Sequence, residues 1–402
     1  MAKDKKPFFK KIVHGLISGA ADNDPSGIST YSIVGALTGF AQLWLVVIST
    51  PLLINIQSIC ARLGDVTKKG LAQVMKETYG KKVAVFTLLL LIIGNITTLG
   101  ANFAAVEESI ELLFPNTNAY FLLPLIALFV WWVVVFKSYK TISKFLTVIS
   151  MVFVGYIVTG FLVSPNWIEV LKATFVPQIE ISKDYLLPAV AFLGTTITPF
   201  LFYWQVTQET EDHPTVKDVP FEFSQNSFGF IFSNTITFFI IITTGTLFFK
   251  HGLEINTAAD AAKALVPLAG EHAKLLFAIG IIGSGMLSIP VLSAVTAYAV
   301  AETFGWKKGL NHSPKKAKAF YTTLSAAFLV GLSIALSNFP TIKALFYSQV
   351  INGILSPFLI IFILSLATNP KVVGKYKSPF WQTALGWITV ALMMVAVVGM
   401  FF

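Results

Sequence analysis

The sequence predicts an all-α integral membrane protein whose helices form two five-helix repeats of opposite orientation, with one broken helix in each repeat and an eleventh helix appended. Three observations carry this. Of 402 residues, 55% are hydrophobic and 12% charged, with a mean hydropathy of +0.74, and a soluble globule of that composition would expose large apolar patches. The apolar residues fall in long uninterrupted runs, as membrane helices require, and not in the short alternating stretches of a barrel. Two runs are interrupted by polar, proline-containing breaks: Ala21-Asp22-Asn23-Asp24-Pro25-Ser26-Gly27 and Gly194-Thr195-Thr196-Ile197-Thr198-Pro199.

In chain order, span 12–38 follows a basic N-terminal stretch and contains the first break. Spans 41–62, 83–113, 119–136 and 144–163 follow, and the sixth, 184–209, contains the second break. Spans 227–249, 273–301, 319–337, 342–367 and 380–402 complete eleven. Breaks in the first and sixth spans divide the single domain 1–402 into repeats 12–163 and 184–367, with 380–402 as an addition. Five helices per half make the second repeat enter from the opposite side, and paired broken helices in two such halves mark a secondary transporter.

Lys and Arg set the orientation, because they are retained on the cytoplasmic side. With the N-terminus inside, 23 of the 29 basic residues fall in inner segments, so the N-terminus is expected to be cytoplasmic and the C-terminus outside. The same distribution accounts for the net charge of +9 without nucleic acid or another anionic partner. The basic start runs into a span that holds the break and lacks a small-residue cleavage site, so no cleavable signal is expected. The sole cysteine, Cys60, excludes an intramolecular disulfide and reads as packing. His213, His251, His272 and His312 fall in loops or helix ends without metal-ligand spacing. An intramembrane enzyme would need paired aspartates or a Ser/His dyad, and Asp22/Asp24 are the only close acidic pair at membrane depth, so no enzymatic activity is expected.

A carboxylate at membrane depth persists only where something satisfies it. Asp24 supplies a point charge for a cation. The Ala21 carbonyl and the backbone at Gly27, each three residues away, can line the same side, with Asn23 beside them. The Thr195 carbonyl and the Thr198 hydroxyl face them from the second break. All are oxygen donors, a hard set that suits magnesium, calcium or manganese. The alternative is that Asp24 only caps the helix begun by Pro25.

Broken first and sixth helices resemble the leucine-transporter-type fold. The run Asp22-Asn23-Asp24-Pro25-Ser26-Gly27, the segment Ile56-Gln57-Ser58-Ile59-Cys60-Ala61-Arg62-Leu63-Gly64 and Ser348-Gln349-Val350 further resemble the Nramp divalent-metal transporters. The family's Asp-Pro-Gly-Asn motif matches Asp24 and Pro25 but meets Gly27 at its asparagine. Its Met-Pro-His motif matches Pro199 but meets Thr198 and Phe200 at the methionine and histidine. The resemblance places Leu99 and Asn102 at the two acidic positions of the proton route, and Gln205 at a further histidine. Arg62 is the only arginine in the chain, whereas the family's route uses arginines of the ninth helix. Glu107, Glu108 and Glu111 read as a solvated outer helix end. Gln349 matches a family position that approaches the metal, and Asn352 lies on the same helical face three residues on, so both are candidate ligands or partners of metal-bound water.

Loss of the thioether removes the ligand that discriminates against hard ions. The pattern is similar to the Nramp-related magnesium transporters of bacteria, which implies Mg²⁺ entry, with Mn²⁺ also carried, by potential-driven alternating access across the plasma membrane without proton coupling. The expected partners are a divalent cation and the bilayer; the metal is cargo, and no cofactor is expected. Two alternatives share the fold: a proton-coupled Mn²⁺/Fe²⁺ symporter, and a sodium-coupled amino-acid carrier whose substrate carboxylate Asp24 would repel.

Overall fold

The computed structural model describes residues 23–136, 148–149, 151–212, 219–337 and 339–402, with side chains throughout except at 211, 212 and 219–226. Its principal helices are α1 (Pro25–Thr38), α2 (Leu43–Thr67), α3 (Leu71–Tyr79), α4 (Lys81–Leu113), α5 (Ala119–Phe136), α6 (Gly155–Leu162), α7 (Trp167–Phe175), α8 (Lys183–Thr196), α9 (Pro199–Asp212), α10 (Val219–Leu247), α11 (Ala258–Lys263), α12 (Ala273–Phe304), α13 (Lys318–Ala335), α14 (Thr341–Thr368) and α15 (Phe380–Gly399). Among the described residues, nine helical segments are long and apolar enough to cross a membrane, with α8 and α9 together making one. The remaining two spans expected from sequence are seen in part, as α1 and as α6 with the helical turn Met151–Val154 before it.

Burial sorts the helices into inner and outer shells. Of the apolar stretch in Lys183–Thr210, 94% is buried, against 39% in each of α5, α13 and α15. Every residue of α1 from Pro25 to Ala36 is buried. Helix α1 and the broken pair α8–α9 therefore form the centre, where no lipid can reach them, and non-helical backbone is tolerated there because protein surrounds it. Around them, α4 packs along α12, α14 packs against both α4 and α8, and α10 packs against α1 and α2. At 1.5 Å per residue the 33-residue α4 is about 50 Å long, more than a bilayer core needs, so it extends past the hydrocarbon.

Local chemistry sets the ends of both breaks. Asp24 is the N-cap of α1 and Pro25 occupies the first turn, where its missing N–H is of no consequence. At the second break only Ile197 and Thr198 lie outside helix, which is narrower than the sequence suggested, since Gly194, Thr195 and Thr196 continue α8. A single proline removes the donor for one carbonyl, that of Thr195, so the helix runs nearly to Pro199 before it opens. Two glycines bring this segment onto α14. A Cβ on Gly194 would overlap the Gln349 carbonyl, and one on Gly353 would overlap the Val190 carbonyl.

Candidate metal site

The candidate site is assembled from the start of α1, the α8–α9 break, and the middles of α4, α12 and α14. Asp24 is 4% exposed. Its Oδ1 accepts the Gly27 N–H at 2.7 Å and its Oδ2 accepts the Asn102 Nδ2–H at 2.8 Å. Asn102 is held in that orientation. Its Oδ1 accepts from the Ser26 backbone N–H at 3.2 Å and the Ser26 hydroxyl at 2.7 Å, while Nδ2 also donates to Ser288 Oγ at 3.0 Å. One carboxylate oxygen thus caps the helix and the other is bound from α4, so capping accounts for half of Asp24's hydrogen bonding.

Gly27 departs from its expected role. It was expected to line the site through its backbone, yet as the third residue of α1 it contributes an N–H donor that the Asp24 carboxylate caps. Asn23 is 3% exposed, and its Oδ1 accepts from Ser233 Oγ of α10 at 3.1 Å. Ala21 lies outside the described residues, as does Asp22. Pro25 nevertheless lacks the N–H that a carbonyl four residues earlier would bond in a continuous helix, the relation that also links Thr195 to Pro199.

In the second break the Ile197 carbonyl accepts from Ser356 Oγ of α14 at 2.6 Å. Thr195 and Thr198 are both buried, and the Thr198 hydroxyl has no hydrogen-bond partner. A buried hydroxyl without a partner is a polar group prepared for a ligand or water. The two breaks are tied together where the Tyr31 hydroxyl, about two turns into α1, meets Thr196 Oγ1 at the end of α8 at 3.1 Å. Gln349 and Asn352 form a third group. Asn352 Nδ2 donates to Thr98 Oγ1 at 2.9 Å and to Gln349 Oε1 at 3.1 Å, and Gln349 Nε2 donates to Ser348 Oγ at 3.1 Å. They link α14 to α4, and no hydrogen bond joins their side chains to Asp24.

Among the described residues no group of three or more His, Cys, Asp or Glu side chains is placed to hold a metal. The described groups bonded to Asp24 are neutral, so among the described residues a cation there would meet one carboxylate with neutral polar groups around it, a hard and weakly charged donor set. Toward the far end of α9, Gln205 Nε2 donates to Glu209 Oε1 at 2.6 Å, and both residues are buried. Glu108 does not fit a fully solvated outer end, because its Oε1 accepts the Ala258 N–H at the start of α11; Glu111 is exposed. Cys60 is buried as a free thiol, as expected, and His213 lies outside the described residues.

Sequence reasoning missed two residues bonded at the site, and one buried amide outside it. Asn102 registered only as the absence of an acid, although its amide is the group on Asp24. Ser288 carried no motif. Gln57 is fully buried with neither amide atom partnered, on the α2 face where Gly64, seven residues on, meets Glu209 and Val206 of α9. The available signal was the bare one that a polar side chain within an apolar span needs a partner.

A sequence profile described as Natural resistance-associated macrophage protein-like, Nramp, matches residues 15–402. The divalent metal cation transporter MntH of Caldanaerobacter subterraneus is 24% identical over 398 residues, covering 97% of this chain and 92% of the relative. That of Bacillus subtilis is 25% identical over 391 residues, covering 95% and 89%. A crystal structure of a mutant manganese transporter from Eremococcus coleocola superposes with a TM-score of 0.75 at 17% identity, over 99% of this chain and 88% of that one. MhsT in complex with L-phenylalanine superposes with a TM-score of 0.66 at 14% identity, over 97% and 96%. These likenesses establish the leucine-transporter-type fold with its two broken helices, and the match across nearly the whole length establishes that the chain belongs to the Nramp family.

Proposed function

We propose that this protein carries divalent metal cations across the plasma membrane into the cell by alternating access, with Mg²⁺ the preferred ion and Mn²⁺ also carried, and without proton coupling. Asp24 is the charged ligand, assisted by oxygens of Ala21, Thr195 and Thr198, with Asn23 and Gly27 shaping the first break. Gln349, Asn352 and Gln57 serve water on the ion. The N-terminus is cytoplasmic. Divalent-metal transport is supported by the relatives' names. The finer reading rests on the hydrogen bond between Asp24 and Asn102. An amide stands where the family's resemblance expects a titratable acid, and an amide cannot relay a proton at physiological pH. Thr198 offers a hydroxyl where the family has a thioether, and Mg²⁺ keeps several waters, so a site with one charge and spare hydrogen-bonding groups favours it over softer ions.

The test is competitive flux into proteoliposomes holding the purified protein, with Mg²⁺, Mn²⁺ and Ca²⁺ each measured alone and against the others. Saturable Mg²⁺ entry that Mn²⁺ inhibits is expected. Entry of Mn²⁺ with no Mg²⁺ flux would instead assign the protein to the manganese-selective reading.

A further inference from the structure

Helix α7 divides its surface into three sectors. At about 100° per residue, measured from Trp167, the residues Val170, Ala173 and Thr174 fall at about 240–340°, Trp167, Leu171, Phe175 and Ile168 at about 0–100°, and Lys172 and Glu169 at about 140–200°. Burial follows the division. Val170 is 1% exposed and α7 packs against α2 through this first sector, whereas Ile168 is 80% and Phe175 70% exposed. Apart from Phe161 against Trp167, nothing in the described chain covers the apolar sector.

The chain is built to turn at this point. The helical segment Met151–Leu162 and α7 meet at 117° across a short break, in which Ser164 has φ of 49° and Asn166 caps α7 by accepting the N–H groups of Ile168 and Glu169. Nine residues make a helix of about 14 Å, too short to cross a hydrocarbon core of about 30 Å. The apolar sector is continuous with the lipid-facing surface of α6, because Trp167 packs at 5.2 Å on the exposed Phe161 at the end of that span. Trp at the end of a span belongs at the headgroup level.

We propose that α7 is an in-plane membrane anchor, seated with its apolar sector at the boundary between headgroups and acyl chains of one leaflet, its Lys172 and Glu169 sector in water and its third sector on α2. The occupant of the exposed face is phospholipid. Through the segment 176–182 the anchor leads directly into α8, so the half-helix ahead of the second break starts from a point fixed in the bilayer.

Site-directed spin labelling in liposomes tests this, and the fully buried Cys60 leaves introduced thiols as the reactive ones. Nitroxides are placed by Ile168→Cys, Leu171→Cys and Phe175→Cys, and on the polar sector by Glu169→Cys and Lys172→Cys, and collision with oxygen is compared with collision with a water-soluble nickel chelate. The first three are expected to favour oxygen and the last two the chelate, a reversal with helical period. Chelate-dominated collisions at Ile168, Leu171 and Phe175 would overturn the proposal by showing the face in water. Protection from both reagents there would overturn it by showing contact with a second protein copy. A single collapsed variant does not remove the test, since each of the three apolar positions reports independently.

Discussion

Replacing Asp24 with Asn separates charge from fold. With its one oxygen on the Gly27 N–H the variant keeps a good N-cap, because asparagine caps about as well as aspartate, within a few tenths of a kcal/mol. Its cost falls on the other oxygen. Asn102 Nδ2 lies 2.8 Å from Asp24 Oδ2 and cannot be turned without losing both bonds from Ser26. The new amide therefore either presents its own oxygen to Asn102 and loses the cap, or leaves a buried donor unpaired, at about 1–3 kcal/mol of folding free energy. The effect on the ion is larger. A divalent cation about 3 Å from a unit charge gains about 11 kcal/mol at an effective dielectric of about 20, most of it offset by desolvation of both. If only about 3 kcal/mol survives that offset, removing the charge weakens binding at least about 100-fold. Calorimetry with Mg²⁺ and with Mn²⁺, paired with a thermal melt, reads both effects. The expected result is a folded protein with its metal binding gone. A folded Asp24→Asn protein with a Kd within about tenfold of the parent would place the ligand elsewhere, with Asp22 the first residue to examine.

Three further expectations follow from the geometry. The double variant Thr198→Met with Gly27→Asn restores a soft ligand and a side-chain oxygen, so the Mn²⁺/Mg²⁺ affinity ratio by calorimetry should rise; a flat ratio would mean that first-contact softness does not set selectivity. Asn102→Asp places a second carboxylate within hydrogen-bond distance of the first, and two such groups do not both ionise readily. Metal binding should then release a proton and weaken more steeply toward acid than in the parent; equal pH profiles would refute the role given to the amide. Gly194→Ala forces a methyl onto the Gln349 carbonyl, so the melting temperature should fall by an amount matching about 1–3 kcal/mol or more, and an unchanged melt would show that α8 and α14 are free to separate.

The helices were legible because each is a run of apolar residues long enough to cross a bilayer, and the breaks because proline and polar residues sit at membrane depth. Boundaries followed closely where capping chemistry is local, as at Ala119, the expected first residue of its span, where Asn118 Oδ1 accepts the Tyr120 N–H. The second break was overestimated because Gly194, Thr195 and Thr196 look like helix breakers in sequence, whereas packing on α14 holds them helical. Helix α7 was invisible, since nine residues with three faces give neither a long apolar run nor a two-sided pattern. In the site, Asp24 and its cap could be read from Asp-Pro alone, but Asn102 could not, because its bond to Asp24 joins residues 78 positions apart. Gln349 and Asn352 were rightly grouped by helical spacing, yet that spacing could not reveal that both bond Thr98 of α4.

The central claim is Mg²⁺ entry driven by membrane potential with no accompanying proton. Proteoliposomes carrying an internal pH dye and an imposed inside-negative potassium diffusion potential measure ion entry and lumen pH in the same sample. The account predicts Mg²⁺ uptake that grows with the potential while lumen pH stays level with protein-free vesicles. Acidification in fixed proportion to Mg²⁺ entry, abolished together with it in Asp24→Asn, would contradict it.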